Sequence, residues 1–165
     1  MKVDKFSIKT FYDGMVQRGL ESFSEMVIWN SWALIRVSFF IWEATWKGIS
    51  TMDVLKRRGW TSVNRCFLCK GEKGSCDQIL LHCSKASLLW LLVFSLFGVV
   101  WLLHTSIQAA LLSWHSCTIK KRRKRAWNVT PLCLFWIIWK EKNRRAFENV
   151  QLSNEELKFS FCVTF

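Results

Sequence analysis

Four of the chain's seven cysteines fall within eighteen residues, in the run CFLCKGEKGSCDQILLHC from Cys66 to Cys83. Nothing else in the sequence limits the fold as tightly, because so dense a cluster asks one loop to close on itself. The opening residues, MKVDKFSIKT, lack the apolar stretch of a secretory signal, which predicts an intracellular protein, nuclear or cytoplasmic. In a reducing compartment a tight cysteine cluster reads as metal ligands before it reads as disulfides. Zinc wants four soft or borderline ligands at tetrahedral corners, and C-x-x-C supplies two thiolates, Cys66 and Cys69, from one turn. The stretch KGEKGS lets the chain reverse, and Cys83 is the natural third ligand. The fourth is open among Cys76, His82 and Gln78. Adjacent His82 and Cys83 would have to point one way from neighbouring positions, whereas Cys76 gives the even spacing C-x2-C-x6-C-x6-C. The plainer alternative is a set of unmetallated thiols lining a core. A single structural Zn2+ is the expectation, with no open coordination position beside a general base and hence no metal-assisted hydrolysis.

The segments around the cluster read as helices. Ile28, Trp32, Ile35, Phe39, Trp42 and Trp46 recur at spacings of 4, 3, 4, 3 and 4, one face of a helix that Gly48 ends. A short helix fits Thr51 to Arg58, with Asp53 in its first turn, Lys56, Arg57 and Arg58 in its last, and Gly59 beyond. A third fits Ser84 to Phe97, stopped by Gly98. Thr105 and Gln108 have capping-box spacing for a fourth, running to about Trp114. Thr130 and Pro131 sit as N-cap and first residue of a fifth, and Ser153 with Glu156 offers a capping box for a sixth. Phe6 to Tyr12 alternates and predicts a strand. The fold class expected is mainly α, a small helical domain carrying an inserted zinc-knuckle-like cysteine loop. Cys117, Cys133 and Cys162 stand alone and are expected to be buried reduced thiols.

Charge and aromatic content point to partners. Lys and Arg number 24 against 12 acids, a formal net charge of +12, so the chain seeks polyanions, nucleic acid first and anionic membrane second. Between Lys120 and Arg145 ten cationic residues face one acid, Glu141. The block Lys120, Lys121, Arg122, Arg123, Lys124 and Arg125 is the candidate phosphate contact, salt-dependent and largely blind to sequence, and resembles a nuclear-import signal. The bland alternative is a solvated basic face. Trp60, after Arg57, Arg58 and Gly59, is a candidate to stack on a base with the two arginines on phosphates, against the plainer reading that it packs the knuckle on the core. Trp32, Trp42 and Trp46 read as core. Leu88 to Leu103 is apolar apart from Ser95 and Gly98, but its sixteen residues fall short of the roughly twenty that cross a bilayer. His104 and His115 read as structural. No Asp-Asp pair, phosphate-cradling glycine loop or nucleophile triad is present, so no catalysis and no small-molecule substrate are expected.

The phrases SFFIWEATW, RRGWTSVNRCFLC, LLHCSKASLLW and PLCLFWIIWKEKNRRAF resemble the zinc-binding region of plant LINE-class (non-LTR) retrotransposon reverse transcriptases, in order and over residues 4–147. The resemblance implies a region downstream of a polymerase, helping to hold template RNA or target DNA, with the polymerase portion of the parent polyprotein as a partner. It also implies a ligand pattern of C-x2-C, a His, and a Cys five residues later. Cys66, Cys69 and Cys83 match three of those positions, and the His position falls on Gln78, which supplies neither thiolate nor imidazole. The site is then complete only if Cys76 or His82 substitutes. Such departures fit a decayed genomic copy. The expected division is residues 4–103 for the zinc-binding-like domain, with its knuckle at 64–83, and residues 104–165 for a helical extension carrying the basic block 120–125. The function expected is a non-catalytic, zinc-stabilised nucleic-acid-binding module. The alternatives are an inactive structural remnant of a degraded retroelement and, more remotely, a small membrane-associated protein.

Overall fold

A computed structural model of the chain describes residues 27–29, 31–61, 65–71, 74–148 and 150–164. They form six α-helices: α1 (Ile35–Thr45), α2 (Met52–Arg57), α3 (Ser84–Phe97), α4 (Ile107–Ser116), α5 (Lys121–Phe147) and α6 (Asn154–Thr164). A π-helical turn, Gln78–His82, precedes α3 and is closed by the Cys83 amide donating to the Gln78 carbonyl at 2.7 Å. The described residues contain no β-strand. The mainly helical class is as the sequence predicts. The expected strand at Phe6 to Tyr12 lies outside the described residues.

Three helices stop in the same way. After α1, α2 and α3 the residues Lys47, Gly59 and Gly98 take φ values of 57°, 89° and 66°. In each case the next amide reaches back five residues: Gly48 to Glu43, Trp60 to Leu55 and Val99 to Phe94. This is the Schellman arrangement, which satisfies carbonyls that a helix end leaves unpaired. Gly59 and Gly98 meet the left-handed requirement without a Cβ. In α1 the left-handed residue is Lys47, not the Gly48 that the sequence marks, and its ammonium pairs with Asp77 at 3.4 Å.

The buried face of α1 is Val37, Phe40, Ile41 and Ala44. This corrects the expected stripe: Trp32, Ile35, Phe39 and Trp46 are exposed, Ile35 to 79%, and Trp42 is half-buried. The segment is apolar on two faces, and the one carrying Phe40 and Ile41 fits between α4 and α5.

The longest helix, α5, packs against α1, the π turn, α3, α4 and α6. It buries Trp127, Leu132, Leu134, Phe135, Ile137 and Ile138, too many directions for one stripe, as a central helix must. It also runs through Pro131, which corrects the expected start at Thr130. Proline has no N–H, so the Trp127 carbonyl four residues back loses its helical donor. The Trp114 indole N–H takes that place at 2.8 Å, while the Trp127 indole N–H donates to the Trp114 carbonyl at 3.0 Å. The two rings stack with centroids 3.7 Å apart. A tertiary exchange thus replaces the missing helical bond, and Thr130 donates within the helix to Ala126 instead of capping it.

The other caps divide. Ser153 and Glu156 form the reciprocal capping box of α6, at 2.7 and 3.2 Å. In α4 the cap is Ser106, accepting from the Ala109 amide, not Thr105. Cys117 and Cys133 are half-buried rather than buried. No described helix is long and apolar enough to cross a membrane. The apolar run from Leu88 forms α3 and an extended piece, with Leu91, Leu96, Val100 and Leu102 exposed.

Candidate metal centre

The C-x-x-C segment folds as a tight knuckle. The Lys70 amide donates to the Cys66 carbonyl at 2.8 Å, and the Cys66 amide donates to the Gly71 carbonyl at 3.1 Å. Lys70 is left-handed, with φ 59°. A Cβ at Gly71 would lie 3.3 Å from the Cys69 sulfur, a tight contact that the glycine avoids. Cys83 arrives from the end of the π turn, whose Leu80 carbonyl is held by the Trp90 indole N–H at 3.1 Å. The added residue per turn swings Cys83 toward the knuckle, a use of π geometry common at functional sites.

The result is three sulfurs, of Cys66, Cys69 and Cys83, all within 4.8 Å of one another. Cys66 and Cys83 are buried and Cys69 half-buried. The Cys83 thiol hydrogen-bonds to Cys66, which pulls the Cys66 thiol below its ordinary range and pushes Cys83 above it, burial adding to the rise at Cys83. The shared hydrogen bond thus favours the charged form of Cys66 and the neutral form of Cys83. Zn–S bonds of about 2.3 Å put tetrahedral sulfurs roughly 3.7 Å apart, so the three thiols fit three zinc positions after a small contraction.

The other sequence candidates stand elsewhere. Cys76 is buried, but its thiol donates to the Ala44 carbonyl at 3.5 Å and is outside the cluster. Burial, with Asp77 and Asp53 nearby, pushes that thiol up. His82 is exposed and outside the cluster as well. Among the described residues no fourth Cys, His, Asp or Glu joins the three.

Sequence reading missed the support of the knuckle. Arg145, counted among the basic residues of a presumed surface, is buried, and its guanidinium donates to the Leu68 carbonyl between the two knuckle cysteines at 2.7 Å. It also donates to Glu141 at 2.6 Å and to the Leu152 carbonyl at 3.1 Å. Glu141 in turn accepts from the Leu152 amide and from Arg144, both at 3.1 Å. The signal was present as Glu141 and Arg145 at i, i+4 on a helix. Lys142 is buried too; burial lowers it to about 8, against which a Cys66 thiolate favours its charged form. Its ammonium donates to the Ser50 carbonyl at 3.3 Å. These residues therefore leave the pool of cations available to phosphate.

The remaining cations are at the surface. Lys120, Lys121, Arg122, Arg123 and Arg125 are exposed, and Lys124 is half-buried with its ammonium on the Cys117 carbonyl at 3.2 Å. The block is the N-terminal end of α5, with no acid in the first turn, a placement the helix dipole disfavours. Arg57, Arg58 and Trp60 are also exposed, Trp60 to 66%, and Arg57 pairs with Asp53 at 3.7 Å.

A family model described as zinc-binding in reverse transcriptase matches residues 6–90, just over half of the 165 residues. The chain belongs to that family. The matched part of this reverse-transcriptase zinc-binding protein holds all three clustered cysteines, and the family is a zinc-binding region, not the polymerase. Its α5, which clamps the knuckle, lies beyond the match. Comparison with curated proteins and with solved structures gives no match.

Proposed function

We propose that this chain is a non-catalytic, zinc-stabilised module that binds nucleic acid, derived from the polyprotein of a plant LINE-class retrotransposon. Cys66, Cys69 and Cys83 hold one structural zinc, whose fourth position no described residue fills and which when bound ties the knuckle to the start of α3. The observation that carries the reading is the convergence of these three thiols in a loop whose backbone is anchored from α5. Support for the polyanion partner is the exposed cationic end of α5, where phosphates would relieve like-charge crowding and meet unpaired helix amides. RNA or DNA is held largely without regard to sequence, in the nucleus or cytoplasm, beside the polymerase portion of the parent.

Filter binding of single-stranded RNA to the zinc-loaded chain tests this. Affinity is expected to fall at least tenfold between about 50 and 200 mM salt. It is expected to weaken when Lys120–Arg125 are changed to glutamine. Salt-insensitive binding, or binding indifferent to that change, sinks the proposal.

One observation favours a second reading, an inactive structural remnant. Gln78 stands where the ligand pattern has His, and Cys76 faces Ala44 instead of the cluster. A chain that binds neither metal nor nucleic acid yet folds would establish it.

A further inference from the structure

The three sulfurs that the knuckle and the π turn bring together are a donor set that suits more than zinc. All lie within 4.8 Å of one another, and all three are thiols. Sulfur donors of this kind select soft acceptors. Their spacing is set before any ligand arrives: Arg145 holds the Leu68 carbonyl on one side, and Trp90 holds the Leu80 carbonyl on the other. A ligand that joins all three sulfurs therefore meets little ordering cost. Cys66 and Cys83 are buried, but Cys69 is half-buried and lines an open cavity of about 540 Å3 with Lys70, Ser84, Lys85 and Gln151. That cavity is a way in for a small uncharged molecule. A metal cation, by contrast, approaches a chain of net charge +12 against its field.

We propose that Cys66, Cys69 and Cys83 form a receptor for trivalent arsenic, taken up as neutral arsenous acid by way of Cys69. Trivalent arsenic makes three bonds in a pyramid and keeps a lone pair at the apex. Three sulfurs on one side complete it, where zinc calls for a fourth ligand. Each thiol replaces one hydroxyl. Three S–H and three As–O bonds break, three As–S and three O–H bonds form, and three waters leave. Arsenic stays trivalent, so no oxidant or reductant enters. The product carries no net charge, which lowers the cost of seating it where two of the three sulfurs are buried. The inference stands apart from the zinc reading, because it needs the three sulfurs and their spacing and not a metal ion.

The test uses the full reduced chain as purified, with inorganic arsenite as the probe. Native mass spectrometry is expected to show one arsenic per chain, any zinc present leaving as arsenic enters. X-ray absorption at arsenic should show three sulfur neighbours and no oxygen. Cys66→Ser, Cys69→Ser and Cys83→Ser should each weaken retention by at least about tenfold, since each loses the third, intramolecular bond. Cys76→Ser should retain arsenic like the parent. An oxygen neighbour on the arsenic of the parent chain, or a parent that keeps its zinc and excludes arsenite, overturns the inference and leaves the zinc reading standing. Equal loss in Cys76→Ser and Cys66→Ser overturns it too. A chain that cannot be loaded with zinc yet takes up arsenic on three sulfurs upholds the inference and removes the zinc reading.

Discussion

Removing the guanidinium of Arg145 takes a donor from three partners at once: the Leu68 carbonyl, the Leu152 carbonyl and the Glu141 carboxylate, which is 2% exposed and keeps Arg144 as its other cation. A buried carboxylate stripped of every counter-ion costs about 3–5 kcal/mol, and with Arg144 still paired to Glu141 at 3.1 Å the loss is about 3 kcal/mol. Arg145→Met should lower urea-measured stability by about that amount, and Arg145→Lys should recover only part, because an ammonium lacks the planar fork that reaches three acceptors. At the cluster, Cys66→Ser, Cys69→Ser and Cys83→Ser should each abolish or severely weaken the thiolate charge-transfer absorption of bound cobalt, while Cys76→Ser should keep it. Binding needs all three sulfurs deprotonated, so affinity should fall as pH falls, with release of protons on loading. The composition of this site was largely legible in the sequence; its ligand count was not. Spacing favoured Cys76, but spacing carries no information about the π turn that aims Cys83 inward and leaves Cys76 against α1.

Helix ends were legible where a single residue decides them. Gly59, Gly98 and the Ser153–Glu156 box act through local geometry, and the structure uses them as written. Pro131 was misread because its rescue is tertiary: nothing near it in sequence reveals that Trp114 will supply the absent donor. That exchange predicts a coupled pair. Trp114→Phe should destabilise the chain by about 1–3 kcal/mol, since it leaves the Trp127 carbonyl without a donor. Pro131→Ala restores a helical N–H, so the double variant should lose less than the sum of the two single ones, as a thermodynamic cycle would register. At α6 the pH dependence has a definite sign. The Ser153 amide and hydroxyl hold Glu156 below its ordinary value, so its contribution is present above that value and lost as pH falls through the depressed one. Protection of the α6 amides, taken relative to the intrinsic exchange rate at each pH, should therefore fall in acid in the parent and lose that dependence in Glu156→Ala. The apolar stripe of α1 failed for a different reason: with two apolar faces, periodicity cannot say which one is covered.

At the scale of the molecule, α5 is the shared wall of the fold. Residues 35–97 supply α1, the π turn and α3, and all three pack on it. A chain truncated after Leu103 should therefore show no cooperative thermal transition by circular dichroism, even with zinc, although it contains every clustered cysteine; a sharp transition would show that the first segment stands alone. Charge was legible in amount and sign but not in destination. The first cations of the run lie in water, while Lys142 and Arg145 at its end are interior groups, a distinction that depends on which turns of α5 face the knuckle.

The bond from Arg145 to Leu68 spans 77 residues and fastens the backbone between two thiols, next to Cys69. Much of the entropy that a free C-x-x-C peptide would surrender on capturing an ion has therefore been spent when the helices assemble. The loop excised as a synthetic fragment should grip cobalt more weakly than the intact chain with the same sulfurs, and the shortfall measures how far folding preorganises the trap.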